Sequence, residues 1–220
     1  MNATMPPLLE LQHLSVVISG RTILRKIELQ LDRGDRVVIR GPSGSGKSSL
    51  LKAILGLLPP TEGRILYGGA AIGPHNIESF RRKIGYVAQE PVLGGETGRE
   101  ALLLPFTFRS RRQDRPSDER IDRVLDGLGL AGSLLEQPAG SLSGGEKQRL
   151  ALGRALLLGA TLFLLDEVTS ALDPESRKRI VTALAQSDST VIAVSHDNAF
   201  DRDFAKRWEM RDGRLIRQEP

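Results

Sequence analysis

Apolar and polar residues alternate between positions 9 and 31. Leu9 and Leu11 are followed by Val16 and Ile18, and past a Ser19-Gly20 turn by Ile23, Ile27, Leu29 and Leu31. A period near two puts successive side chains on opposite faces, so this stretch predicts antiparallel strands joined by a hairpin. Val37-Val38-Ile39 is a short apolar strand that runs into a glycine-rich turn. A helix is predicted over 47–57; it stops before Pro59-Pro60, which offer no N–H to prolong it. Further strands are predicted at 65–67 and 84–88.

From about 90 to 158 the pattern turns helical. Its clearest part is 118–128, where Ile121, Val124, Leu125 and Leu128 share one helical face. Leu162-Phe163-Leu164-Leu165 is apolar throughout, as a strand buried on both faces must be. A helix over 174–185 begins with Pro174, a residue suited to the first helical turn. A strand follows at 191–194, and Asp212-Gly213 predicts a hairpin between 208–210 and 214–216. Strands alternating with helices argue for an α/β core around a largely parallel sheet, with the helical block inserted into it.

Composition narrows this further. The 220 residues suffice for one domain with a full core. No segment reaches the ~20 apolar residues needed to span a bilayer; the runs at 102–106 and 156–165 are too short or interrupted by Gly and Pro. The first seven residues lack the basic-then-apolar layout of a secretory signal. With no cysteine, there is neither a disulfide framework nor a thiolate metal site, which fits a reducing compartment. The net charge is +4, and basic residues collect at Arg81-Arg82-Lys83, from Arg109 to Arg115, and at Arg177-Lys178-Arg179. These read as solvated faces, or as contacts for an acidic partner or lipid headgroups. One tryptophan, two tyrosines and six phenylalanines are present, none interleaved with the basic clusters. That argues against nucleic acid as a partner.

Three segments carry candidate chemistry. Gly41-Pro42-Ser43-Gly44-Ser45-Gly46-Lys47-Ser48, followed by Ser49, fits the phosphate-loop pattern GxxxxGK[ST] between a strand and a helix. Its glycines let backbone N–H groups converge on phosphate oxygens, and the helix start adds partial positive charge. Lys47 is the candidate for the β and γ phosphates and Ser48 for a Mg²⁺ ligand. Asp166 and Glu167 end the apolar strand, where α/β sheets place their ligands; Asp166 suits the Mg²⁺ shell and Glu167 the attacking water. Ser143 to Glu146 has the form S-x-x-E, a capping box ahead of a helical run over 147–158. Gly144-Gly145 leaves that helix start bare, open to a second phosphate, which suggests the ATP of a neighbouring subunit.

Leu142-Ser143-Gly144-Gly145-Glu146 resembles the signature motif of ATP-binding cassette (ABC) proteins, and the other marks of that family follow in order. Gln89 resembles the Q-loop glutamine, which in the family senses the metal and the attacking water. Ser170-Ala171-Leu172-Asp173 is similar to the D-loop, which runs along the dimer interface. His196, 30 residues beyond Asp166 in Val194-Ser195-His196-Asp197, resembles the switch histidine that contacts the γ-phosphate. The resemblance covers nearly the whole chain. It implies a single α/β domain over 1–220: a P-loop NTPase, RecA-like core with a mostly parallel sheet, an N-terminal antiparallel β-subdomain and a helical subdomain at about 90–158.

The resemblance also implies ATP and Mg²⁺ as cofactors. Glu167, His196 and Gln89 would be catalytic. Residues 41–49, Ser143, Gly144, Gly145, Glu146 and Asp173 would bind nucleotide, and Ser48, Gln89 and Asp166 the metal. The implied partners are a second copy, joined on ATP binding, and an integral membrane permease subunit, with the chain peripheral at the cytoplasmic face of the membrane. Where the family usually stacks an aromatic residue on adenine, this sequence has Ile18. The stretch from Gln89 to Thr97, with Leu104-Pro105-Phe106, resembles the ATP-binding subunit of Fet-type iron exporters, although Gly94 replaces their usual phenylalanine. Lipoprotein-release and cell-division ATPases of similar size, and ABC ATPases of DNA repair or translation, are the alternatives.

Overall fold

The computed structural model describes residues 5–170, 172–196, 200, 204 and 206–218. Ala171 of the D-loop match and Asp197 of the switch match lie outside the described residues.

The alternating N-terminal segment forms β1 (Leu9–Ile18) and β2 (Arg21–Leu31), paired from Leu9 with Leu31 to Ile18 with Arg21. Register shifts along the pair accompany positive φ at His13 and Lys26, so the ribbon is bulged. Next come β3 (Arg36–Arg40), α1 (Lys47–Ile54), β4 (Glu62–Tyr67), β5 (Ala70–Ala71), α2 (Ile77–Arg81) and β6 (Ile84–Val87). The middle third holds α3 (Gly98–Leu103), α4 (Asp118–Leu128) and α5 (Gly144–Leu157). The chain closes with β7 (Leu162–Asp166), α6 (Pro174–Ala185), β8 (Thr190–Val194), β9 (Lys206–Arg211) and β10 (Arg214–Gln218).

Two sheets result. The antiparallel one has the order β2-β1-β4-β5, and the six-stranded one the order β10-β9-β3-β8-β7-β6. In the second, β9, β3, β8, β7 and β6 run parallel and only β10 is antiparallel. Its two faces feed two apolar cores, and the pleat decides which residue goes where. Val38, Phe163, Leu165, Val191 and Ala193 face α3–α6, whereas Val37, Ile39, Leu162, Leu164, Ile192 and Val194 face α1 and the antiparallel sheet. Every residue of β7 is buried, which is why its sequence shows no alternation. Leu164, on this central strand, is fully excluded from solvent. Leu164→Ala is expected to destabilise the chain by about 2–5 kcal/mol through the cavity it leaves; urea unfolding checks this, and a loss below ~1 kcal/mol would place Leu164 outside a tightly packed core.

Capping decides where the helices end. α4 begins at Ser117, whose hydroxyl accepts the Arg120 N–H, and ends at Gly129 in the left-handed conformation. α6 is capped by Asp173 and starts at Pro174. α1 ends at Ile54 rather than at the predicted 57, because Gly56 turns left-handed and the Leu57 N–H returns to the Lys52 carbonyl at 2.9 Å. Arg81 of the first basic cluster donates to the Leu55 and Gly56 carbonyls just beyond that end, so it does structural work there.

The block predicted as helical is only partly so. Residues 88–97 run without helix: the half-buried Arg154 of α5 donates to the Leu93 carbonyl at 2.7 Å, an outside partner in place of a helical one. Residues 132–136 and 139–141 are 3₁₀ turns separated by Pro138, and the Gly98 N–H donates to Gln137 across them at 2.9 Å. No helix among the described residues is long and apolar enough to cross a membrane.

Candidate functional site

Strand order brings the candidate residues together. β3, β8, β7 and β6 are adjacent and parallel, so their C-terminal ends share one edge of the sheet. The loop 41–46 leaves β3, His196 follows β8, Asp166 and Glu167 end β7, and Gln89 follows β6. Residues up to 149 positions apart in sequence thus meet at the edge where such sheets hold ligands.

The loop is held on three sides. Gly41 has φ 148°, and a Cβ there would lie 2.1 Å from the Met210 carbonyl oxygen, so only glycine lets β9 pass this closely. The Gly213 N–H donates to the Ser45 carbonyl at 3.1 Å, and the Gly213 carbonyl accepts from the Arg25 N–H at 2.8 Å. A Cβ on Gly213 would meet the Ile23 carbonyl at 2.4 Å. The C-terminal hairpin turn and β2 therefore clamp the loop. Gly46 caps α1 without a side-chain bond, which leaves the first N–H groups of α1 without a side-chain cap. Residues Ser43 to Ser49 line a cleft of about 530 Å³ with Gln89, Glu167, Asp212 and Gly213. Its other wall is β2, through Arg21, Thr22, Ile23 and Arg25.

Lys47 is 5% exposed. Its Nζ donates to the Gly41 carbonyl at 2.8 Å and the Pro42 carbonyl at 3.1 Å. It also lies 3.1 Å from His196 Nε2 and 3.9 Å from Glu167 Oε1. Burial pulls its pKa down, opposed by the charges of Glu167 and Asp166. His196 Nε2 is in turn 2.8 Å from Glu167 Oε1. One ring nitrogen cannot at once accept from Lys47 and donate to Glu167. Which neighbour His196 Nε2 bonds to therefore depends on the histidine tautomer.

Ser48 Oγ donates to Asp166 Oδ1 at 2.9 Å. Burial pushes the Asp166 carboxyl above the usual range, and the Ser48 bond opposes this. Glu167 has φ 50°, uncommon for a residue with a Cβ, and its N–H donates to the Val194 carbonyl at 2.9 Å. The strained backbone lifts the Glu167 side chain off the β7 line and into the cleft. The Ser45 hydroxyl is buried without a hydrogen-bond partner among the described residues.

The other predicted residues sit apart. Ser143 and Glu146 form the expected capping box: Glu146 Oε2 accepts from the Ser143 N–H at 2.8 Å and from its hydroxyl at 2.7 Å, which holds the Glu146 carboxyl below its usual range. Gly144 lines a second cleft of about 210 Å³ with Gln89, Glu90, Gln148, Glu167 and Ser170, whereas Ser143, Gly145 and Glu146 line neither cleft. Asp173 is occupied as the cap of α6, accepting from Glu175 and Ser176, and lines neither cleft. Ile18 ends β1, is 42% exposed, and also lies outside both linings.

Several contributors carried no local signal in the sequence. Gln148, buried in α5, donates to the Ala88 carbonyl at 3.0 Å and so fixes the chain just before Gln89. Gly213 read only as a hairpin turn, and the alternating pattern over 9–31 singled out neither Arg21 nor Arg25.

Comparison with known proteins shows the family. The sequence pattern of the ABC transporter family matches residues 24–170. The chain is similar to the probable iron export ATP-binding protein FetA of Escherichia coli (strain K12), with 37% identity over 87% of this chain and 85% of that one. It is also similar to the energy-coupling factor transporter ATP-binding protein EcfA of Enterococcus faecium, with 33% identity over 97% of this chain and 79% of that one. Among solved structures, the dimeric ATP-binding cassette MJ0796, bound to ADP and Pi in a post-hydrolysis state, superimposes with a TM-score of 0.85. It is 28% identical, and the match covers 96% of this chain and 97% of that one. Fold, phosphate loop and sequence likeness converge on one statement: the chain belongs to the ABC transporter family and is an ATP-binding cassette ATPase.

Proposed function

We propose that this ATPase drives a membrane permease that exports a metal ion, with iron the first candidate because of the likeness to FetA. The observation that carries the catalytic part is the cluster of Lys47, His196 and Glu167 beside the loop 41–48. The triphosphate of ATP lies along the backbone N–H groups of the loop and the start of α1. Lys47 holds the β and γ phosphates, already positioned by its bonds to Gly41 and Pro42. Glu167, lifted into the cleft, orients the attacking water and takes its proton. His196 passes between Glu167 and the γ-phosphate as its tautomer changes. Gln89, held from behind by Gln148, closes the far side.

Ser48, Asp166 and Gln89 offer only oxygen donors on the protein side, and no group of three or more His, Cys, Asp or Glu that could hold a metal occurs among the described residues. A hydroxyl, one carboxylate and an amide suit Mg²⁺, which binds few protein ligands and completes its shell with phosphate oxygens and water. When bound, Mg²⁺ neutralises charge on the phosphates.

The signature helix serves a second copy. Its capping box satisfies Ser143 and Glu146, and Gly144, with nothing near its Cβ position, leaves the helix start clear for the partner's γ-phosphate. Two copies close on two ATP molecules, hydrolysis releases them, and the cycle moves a permease at the cytoplasmic face of the membrane. Asp173, in this assembly, orders the loop at the interface by capping α6.

The test uses native membranes and the Glu167→Gln chain with Mg-ATP. A multi-spanning membrane protein should be retained, and inside-out vesicles containing that protein and the unmodified chain should accumulate radiolabelled iron only with ATP. Retention of soluble proteins alone would overturn the permease assignment. Retention of a permease whose vesicles move no metal would overturn metal export while leaving the ATPase intact.

A further inference from the structure

A triphosphate seated on the loop 41–48 leaves its nucleoside to reach the cleft wall formed by β2. A purine in water needs a flat cover, which an aromatic ring or a guanidinium can supply. The lining of the cleft contains no aromatic ring. Tyr67 is engaged elsewhere, edge-on to Phe80 at 5.1 Å between centroids and bonded to Thr161. Tyr86 and Trp208 pack against the core on the α1 side of the sheet. Apart from the carboxylates of Glu167 and Asp212, the planar side chains that line the cleft are Arg21, Arg25 and Gln89.

Position separates these three. Gln89 lies beyond β6, at the Glu167 end. Arg25 is tied through its own N–H to Gly213, which is bonded to Ser45, so Arg25 stands at the edge of the phosphate loop. Arg21 lies two residues from Ile23 toward the hairpin turn, and because a bulge in β2 breaks strict alternation here, Arg21, Thr22 and Ile23 all line the cleft. The Ile23 carbonyl lies over Gly46, which places Arg21 at the outer rim of the cleft, past the phosphates. Across the hairpin Arg21 pairs with Ile18, which does not line the cleft. The Arg21 side chain is exposed and makes no hydrogen bond or ion pair among the described residues, so its plane is available.

We propose that Arg21 is a nucleobase-binding residue: its guanidinium plane covers the base of the bound nucleoside triphosphate. The proposal rests on the reading of this cleft as the ATP site. A guanidinium stacks on any base and does not read its exocyclic groups, so MgATP and MgGTP should bind with affinities within about threefold of each other.

Equilibrium binding of MgATP, MgGTP and inorganic tripolyphosphate to the full chain and its variants tests this. Arg21→Ala should weaken both nucleotides about tenfold, the size of one lost stacking contact, and leave tripolyphosphate within about twofold. Arg21→Tyr should restore nucleotide binding because it returns a plane without the charge. Arg21→Lys should fail to restore it because it returns the charge without the plane. Equal loss of tripolyphosphate in Arg21→Ala would make Arg21 a phosphate contact and overturn the proposal. So would a base-selective loss in Arg25→Ala but not in Arg21→Ala. If the unmodified chain bound neither nucleotide nor tripolyphosphate, the cleft itself would be misassigned and the role of Arg21 would fall with it. If tripolyphosphate bound and Arg21→Ala changed nothing, only the role of Arg21 would fail.

Discussion

Glu167→Gln is expected to cut ATP turnover by about 10²–10⁴-fold, the range lost when a positioned general base is removed. The amide keeps the shape of the side chain and can still bond to His196, 2.8 Å away, so the cleft should keep its form. It cannot accept a proton from water. MgATP affinity should change by no more than a few-fold, because the phosphate contacts belong to the loop and Lys47. Binding without turnover then leaves the ATP-bound pair of chains with no route to dissociation. Sedimentation should show a dimer with MgATP that the unmodified chain forms only transiently. Turnover unchanged by the substitution would remove Glu167 from the reaction. Turnover lost together with ATP binding would instead make Glu167 a structural support for Lys47, whose buried charge it helps to hold.

Lys47→Ala is expected to abolish productive nucleotide binding. The Lys47 ammonium sits almost wholly inside the protein, between the Gly41 and Pro42 carbonyls and the Glu167 carboxylate. Removing it deletes the charge that meets the β and γ phosphates. Two charge-assisted hydrogen bonds of about 1.5–3 kcal/mol each predict a loss of affinity of about 10²-fold or more. It also removes a cation that faces the Glu167 and Asp166 carboxylates, so repulsion of the triphosphate rises. Lys47→Met, which keeps the aliphatic stem, separates charge from packing: its urea midpoint should stay close to that of the unmodified chain while its ATP affinity falls as far as that of Lys47→Ala. Calorimetric titration with MgATP provides the readout, and an affinity within about twofold of the unmodified chain in both variants would remove Lys47 from the phosphate site.

These two residues also mark how far the linear chain could be read. The residues of the loop, Lys47, Asp166 and Glu167 were legible because each stands at the end of an apolar strand or the start of a helix, whereas His196 was singled out by the family resemblance. Such junctions are local. α4 and α6 were also read with the bounds they have, from the apolar face of 121–128 and from Pro174, and the structure adds the caps Ser117, Gly129 and Asp173 within a few positions of their ends. The same local reading overran α1, where the left-handed turn at Gly56 ends a helix that the apolar pattern would continue. It also assigned helix to 90–97, whose conformation depends on a bond from Arg154, some sixty residues away.

What the sequence determined by itself, then, was the set of strands, the principal helices and the chemistry available at their junctions, because periodicity and capping act over a few residues. Only the tertiary structure decided which junctions meet. The order β3-β8-β7-β6 puts Lys47 within 3.1 Å of His196 and Ser48 within 2.9 Å of Asp166. Docking of the C-terminal hairpin, through Met210 and Gly213, fixes the loop where a side chain on Gly41 would not fit. The twist and bulges of the β1–β2 ribbon place Arg21, not Ile18, on the cleft wall. Each of these outcomes depends on pairing between residues distant in sequence, where pleat, register and strand order act together and no local pattern records the result.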